Sequence, residues 1–158
     1  MVPLTGDERK PLLYLASGYN KSQARFSPDG RLVAYTSDES GENEVYIQTF
    51  PEASEKWTIS KGGGNQPHWR RDGKELFYVS ADSRMMAVDV TPTPVFAHGN
   101  PKALFPVPIW GGATSLNVTR YDVTPDGQKF LINTLPADAA ASASPNTVVL
   151  NWQLSLKK

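Results

Sequence analysis

Ala24-Arg-Phe-Ser-Pro-Asp-Gly-Arg-Leu-Val-Ala-Tyr35 reads as an apolar strand, a tight Asp-Gly turn and a second apolar strand, and the chain writes the same phrase twice more. The second copy is Pro67-His-Trp-Arg-Arg-Asp-Gly-Lys-Glu-Leu-Phe-Tyr78 and the third is Tyr121-Asp-Val-Thr-Pro-Asp-Gly-Gln-Lys-Phe-Leu-Ile132. Gly accepts positive φ without a Cβ clash and Asp hydrogen-bonds the turn backbone, so Asp29-Gly30, Asp72-Gly73 and Asp126-Gly127 are expected to set the register of three hairpins. A side chain placed at any of those glycines is expected to cost about 1–2 kcal/mol if φ is positive there. Proline fixes φ for turn entry in Ser27-Pro28 and Thr124-Pro125, whereas the second copy has Arg70-Arg71 instead.

The turns lie 43 and then 54 residues apart, the spacing of four-stranded propeller blades. Working outward from each turn gives three repeat units, about 23–60, 66–105 and 117–152. The first is expected to hold strands ending at Phe26, at Leu32 to Ser37, Glu44 to Phe50 and Lys56 to Ser60. The second reads as Gln66 to Trp69, Glu75 to Ser80, Met85 to Val90 and a strand near Ala103 to Phe105. The third has Asn117 to Val123, Lys129 to Thr134 and Thr147 to Trp152, and lacks a fourth strand. After a polar tail at 1–10, Pro11 to Ala16 reads as a short strand that either completes the third blade or stays a loosely held edge. The strands after the turns are apolar on consecutive positions, as in Leu76-Phe-Tyr-Val79, so both faces of each sheet must be covered. The fold class is all-β, a propeller of four-stranded antiparallel blades with three blades in this chain, half of a six-bladed ring or a fragment of a larger propeller.

In 158 residues, 13 prolines and 12 glycines lie between short β-branched and aromatic runs, and no stretch keeps helical periodicity. Sixteen basic and sixteen acidic residues cancel and are interspersed, which argues against nucleic acid as a partner. No run approaches the roughly 20 apolar residues that span a bilayer, so no membrane insertion is expected. Without cysteine there is no disulfide, thiol nucleophile or thiolate metal site.

No catalytic constellation is read: there is no Gly-x-Ser-x-Gly elbow, and neither histidine fits a triad order. His68 and His98 lack an acidic cluster at ligand spacing, so no metal and no cofactor is expected. Gly62-Gly-Gly64 lacks the Lys-Ser/Thr of a phosphate loop and reads as a flexible connector. Asp38, Glu39, Glu42 and Glu44 depart from calcium-loop spacing and read as a solvated hairpin loop. Most of the tryptophans and tyrosines are expected in the core. Trp110 is the exception, because it sits in the unpatterned loop Pro106 to Ser115; with Arg70 and Arg120 near blade entrances, and His68 on an inner strand near the central channel, it is the candidate ligand or partner surface.

Phe26-Ser-Pro-Asp-Gly-Arg-Leu-Val-Ala-Tyr35 resembles the repeat of TolB-like propellers, which are related to WD-repeat propellers, and the resemblance runs through nearly all of residues 11–158. More narrowly, Ser37 to Tyr46, Gln66 to Tyr78 and Val148-Val-Leu-Asn-Trp152 resemble the carboxy-terminal propeller part of bacterial transmembrane serine/threonine kinases and related winged-helix regulators. That resemblance implies a noncatalytic sensory or scaffolding module of a bacterial signalling protein, extracytoplasmic or periplasmic. The chain has no Gly-rich ATP loop, His-Arg-Asp or Asp-Phe-Gly, so no kinase activity is expected of it. Three blades would leave two apolar faces open, so the expected partner is a second copy closing a six-bladed ring, or else the missing blades of a parent chain. The rival expectation is an accessory propeller of a hydrolase or peptidase, or a fragment without activity of its own.

Overall fold

The computed structural model describes residues 13–92, 95–107, 118–134 and 146–150. The three turns are built alike. Ser27, Arg70 and Thr124 donate their N–H to the carbonyls of Leu32, Glu75 and Lys129 at 2.8, 2.9 and 2.9 Å. Gly30, Gly73 and Gly127 donate back to the carbonyls of Ser27, Arg70 and Thr124, with φ of 72°, 73° and 74°. The carboxylates of Asp29, Asp72 and Asp126 accept from the N–H two residues on, at 3.1, 3.0 and 3.0 Å. Each is thus a four-residue loop in which only the glycine takes the left-handed backbone.

Around the turns, β1 (Lys21–Phe26), β2 (Leu32–Ser37), β3 (Glu44–Thr49) and β4 (Lys56–Thr58) form a four-stranded antiparallel sheet in that order. The second sheet runs β5 (Gly64–Trp69), β6 (Glu75–Ser80), β7 (Arg84–Thr91) and β8 (Ala97–His98), with β9 (Lys102–Pro106) also on β7. β9 is the outer strand expected near Ala103 to Phe105; the two-residue β8, on the far end of β7, was not foreseen. The third sheet is β10 (Tyr121–Val123), β11 (Lys129–Asn133) and β12 (Asn146–Leu150).

The sheets stack face to face, which explains the unbroken apolar strands. On β6, Leu76 and Tyr78 join Leu32, Ala34, Val45 and Ile47 of the first sheet in one core, with Trp69 beside them. Phe77 and Val79 point the other way and pack with Tyr121, Phe130 and Ile132 of the third. Side chains two apart share a face, so one strand serves two interfaces, each buried aliphatic or Phe side chain contributing about 1.5–3 kcal/mol.

Three expectations need correction. Residues 13–16 form no ladder: Tyr14 and Leu15 lie on the apolar face of Val33, Tyr35 and Tyr46, and the Tyr14 hydroxyl donates to the Thr49 carbonyl at 2.5 Å. Gly63 and Gly64 are packed rather than a flexible connector; a Cβ on Gly64 would stand 2.6 Å from Ser60 Cβ. Glu44 is not solvated but buried, accepting from the Ser60 hydroxyl and from Gly63 N–H. Among the described tryptophans and tyrosines most are in the core, Trp69, Tyr35, Tyr46, Tyr78 and Tyr121 being buried, while Trp57 is half-buried and Tyr19 exposed.

Candidate functional site

The innermost strands β1 and β5 each carry a bulge, between Ser22 and Arg25 and between Asn65 and His68. At the bulge a glutamine takes the left-handed backbone, Gln23 with φ 57° and Gln66 with φ 58°. Such a φ is unusual for a glutamine, and here the side chain is turned toward the next sheet. Gln23 Oε1 accepts the N–H of Gln66 at 2.8 Å, and Gln66 Oε1 accepts the N–H of Arg120 at 2.7 Å. Gln23, Gln66 and Arg120 hold the same place in the three units, six residues before the turn aspartate. The Tyr121 hydroxyl donates to the Gln66 carbonyl at 2.8 Å, and burial pushes that phenol well up.

Two places further on, Arg25, His68 and Asp122 also correspond. His68 Nε2 lies 3.0 Å from Asp122 Oδ1, and its Nδ1 lies 3.1 Å from the Trp69 carbonyl. The Nε2 contact ties the second sheet to the third, while Nδ1 faces the backbone of its own strand. Trp69 Nε1 donates to the Arg25 carbonyl at 3.2 Å, the corresponding tie between the first two.

Arg70, expected on a ligand surface, is instead part of its turn. Its Nε and Nη2 donate to the two Asp72 oxygens at 2.8 and 2.9 Å, and its Nη1 to Glu75 Oε2 at 2.6 Å. In the other two turns a hydroxyl serves the aspartate, from Ser27 at 2.6 Å and Thr124 at 2.5 Å. Those hydrogen bonds hold the carboxyls of Asp29, Asp72 and Asp126 below the usual carboxylate range. A depressed acid stabilises the fold in full above its unfolded value of about 4 and loses that contribution as pH falls through its folded value. Glu75 has the opposite sign, because burial raises it against the pull of Arg70, so stability falls as pH rises just above the ordinary glutamate range. Asp72→Asn is thus expected to flatten the fall of melting temperature below about pH 4. Melting curves followed by circular dichroism check this, and an unchanged acid slope relative to wild type would refute the role given to Asp72.

Trp110 lies outside the described residues. Among the described residues Arg120 borders a recess with Thr119, Asp122 and Leu131, and Arg70 borders another with Arg71 and Pro125. A larger cleft, about 630 Å³, was not foreseen. Its apolar floor is Tyr78, Met86 and Ala103, and its rim carries Lys61, Asp82, Arg84 and Asn100. Tyr78 is pushed up to about 12 by burial, with Glu44 and Asp82 adding to it. Among the described residues no group of three His, Asp or Glu could hold a metal ion, and no helix is long and apolar enough to cross a membrane.

The stacked sheets, their innermost strands tied blade to blade, have known counterparts. TolB from Acinetobacter baumannii superposes with a TM-score of 0.60 at 20% identity over 85% of this chain. The fold is a TolB-like β-propeller. Oligogalacturonate lyase from Vibrio parahaemolyticus superposes at 0.51 with 14% identity over 75% of the chain. The chain spans only 30% and 31% of those two structures. The prolyl oligopeptidase N-terminal β-propeller domain matches residues 18–94, and no curated protein matches.

Proposed function

We propose that this chain is a noncatalytic β-propeller module that binds protein or ligand, the sensory or scaffolding part of a bacterial signalling protein with a serine/threonine kinase in its parent family, working outside the cytoplasm. Two copies close a six-bladed ring. The observation that supports this is an interface used twice between neighbouring sheets and left open, among the described residues, on the far face of the first sheet. Trp69 packs on the preceding sheet and is 6% exposed, whereas Phe26, in the same place of the first unit, is 55% exposed. A Cβ on Gly73 would meet Pro28 of the preceding turn at 3.5 Å, and one on Gly127 would meet Arg70 at 2.9 Å, but one on Gly30 would meet none of the described residues within 4 Å. The third unit repeats the proline of the first, so Pro125 of one copy is suited to stand over Gly30 of the other as Pro28 stands over Gly73. Tyr14 and Leu15 lie over part of that face in the single chain, and the second copy takes their place. The cleft at Lys61 and Arg84 stays free for a ligand in such a ring. Light scattering coupled to size exclusion is expected to give twice 17.3 kDa at tens of micromolar; the mass of one chain at every concentration would overturn the ring.

The match to a peptidase propeller favours a second reading, an accessory domain that orients substrate for a hydrolase. Neighbouring coding sequence separates the two: a kinase and a membrane helix upstream support the first, an α/β-hydrolase domain downstream the second.

A further inference from the structure

The bulge glutamines do more than join neighbouring blades. Gln23 uses both ends of its amide: Oε1 accepts from Gln66 in the second blade, while Nε2 donates to the Val118 carbonyl at the entry of the third, at 3.3 Å. One side chain therefore holds the next blade and the one after it. Gln66 has the same backbone conformation and the same Oε1 bond to the following blade, and it is fully buried. Among the described residues its Nε2 has no partner. Turning the amide round does not help, because the Arg120 N–H would then face a donor. By the pattern of Gln23, the missing acceptor is a backbone carbonyl two blades on, at the place Val118 holds in the third unit and Lys21 in the first.

We infer that Gln66 is the clamp of the seam between two copies: its Nε2 donates to the Lys21 carbonyl of a second copy, whose first blade stands fourth in the ring. This rests on the two-copy ring proposed above and names the contact that decides its strength. Buried donors are almost always paired, and the first blade of a second copy would bring to this one the kind of backbone carbonyl that Val118 offers Gln23.

Gln66→Glu keeps an acceptor for the Arg120 N–H and replaces the donor by a carboxylate oxygen. Sedimentation across a concentration series is expected to show the dimer dissociation constant raised at least about tenfold, with the far-UV spectrum of the dilute single chain unchanged. A second measurement does not depend on the variant folding. In wild-type protein labelled with ¹⁵N, the side-chain amide resonances of Gln66 are expected to shift between dilute and concentrated samples while those of Gln23 hold still in chains whose first three blades are intact. Wild-type dimers with an unmoved Gln66 amide, or a Gln66→Glu protein that associates as wild type does, would overturn the clamp and leave the ring standing. A wild type that never dimerises would overturn both.

Discussion

Replacing Phe77 by alanine is expected to lower the unfolding free energy by about 3–5 kcal/mol, a large share of what a domain of this size possesses. Phe77 is fully buried on β6, its ring 5.0 Å from that of Phe130 and nearly perpendicular to it. Around it lie Val79, Met85, Ala87 and Leu104 of its own sheet and Tyr121 and Ile132 of the next. Truncation would leave a cavity between two β-sheets, whose ladders restrain how far the walls can move in, so the cavity term adds to the lost transfer energy. Leu131, one position along β11 from Phe130 and on its other face, is 45% exposed, and its alanine variant is expected to cost less than about 1 kcal/mol. Urea unfolding of the two variants beside wild type measures the difference; equal losses would mean that the face of Leu131 is buried as deeply as that of Phe77.

That contrast was half legible in the sequence. Consecutive apolar residues at Leu76 to Val79 demand cover on both faces, and the Asp-Gly spacing fixes where the strands begin, so the expected Leu32 to Ser37 and Glu75 to Ser80 match β2 and β6 as formed. Local chemistry wrote those elements. The blade-to-blade contacts were harder to see, because they depend on residues about 40–55 positions apart that meet only once the sheets have stacked. A trace was present in Gln23 and Gln66, each six residues before a turn aspartate, but nothing in a glutamine announces a left-handed bulge. Arg70 misled for a related reason: where Ser27 and Thr124 offer a hydroxyl to the turn aspartate, a guanidinium two residues away reaches the same carboxylate and looks, in sequence, like a free cation. The cleft at Lys61, Arg84 and Asn100 draws on three separate segments, so no single stretch could signal it.

The three turn glycines separate backbone strain from blade packing, because their φ values agree within two degrees while their neighbours differ. Gly30→Ala is expected to cost about 1–2 kcal/mol, the strain of a left-handed alanine alone, since its Cβ enters open space. Gly73→Ala adds only an ordinary contact with Pro28 at 3.5 Å and should cost about the same. Gly127→Ala is expected to cost about 2–4 kcal/mol, because its Cβ would stand 2.9 Å from Arg70 Cδ and 3.2 Å from the Phe77 ring, and Arg70 is tied to Asp72 and Glu75 and cannot swing clear without giving up those bonds. Denaturant melts of the three single variants give the series, and Gly127→Ala no worse than Gly30→Ala would show that the third sheet yields at that contact. The same series reports on the ring when it is extended to valine at Gly30. In a single chain the valine meets only the strain of the left-handed backbone, greater for a β-branched residue than for alanine, whereas between copies it also occupies the ground assigned to Pro125, so Gly30→Val should weaken association beyond what its stability loss in the dilute chain accounts for.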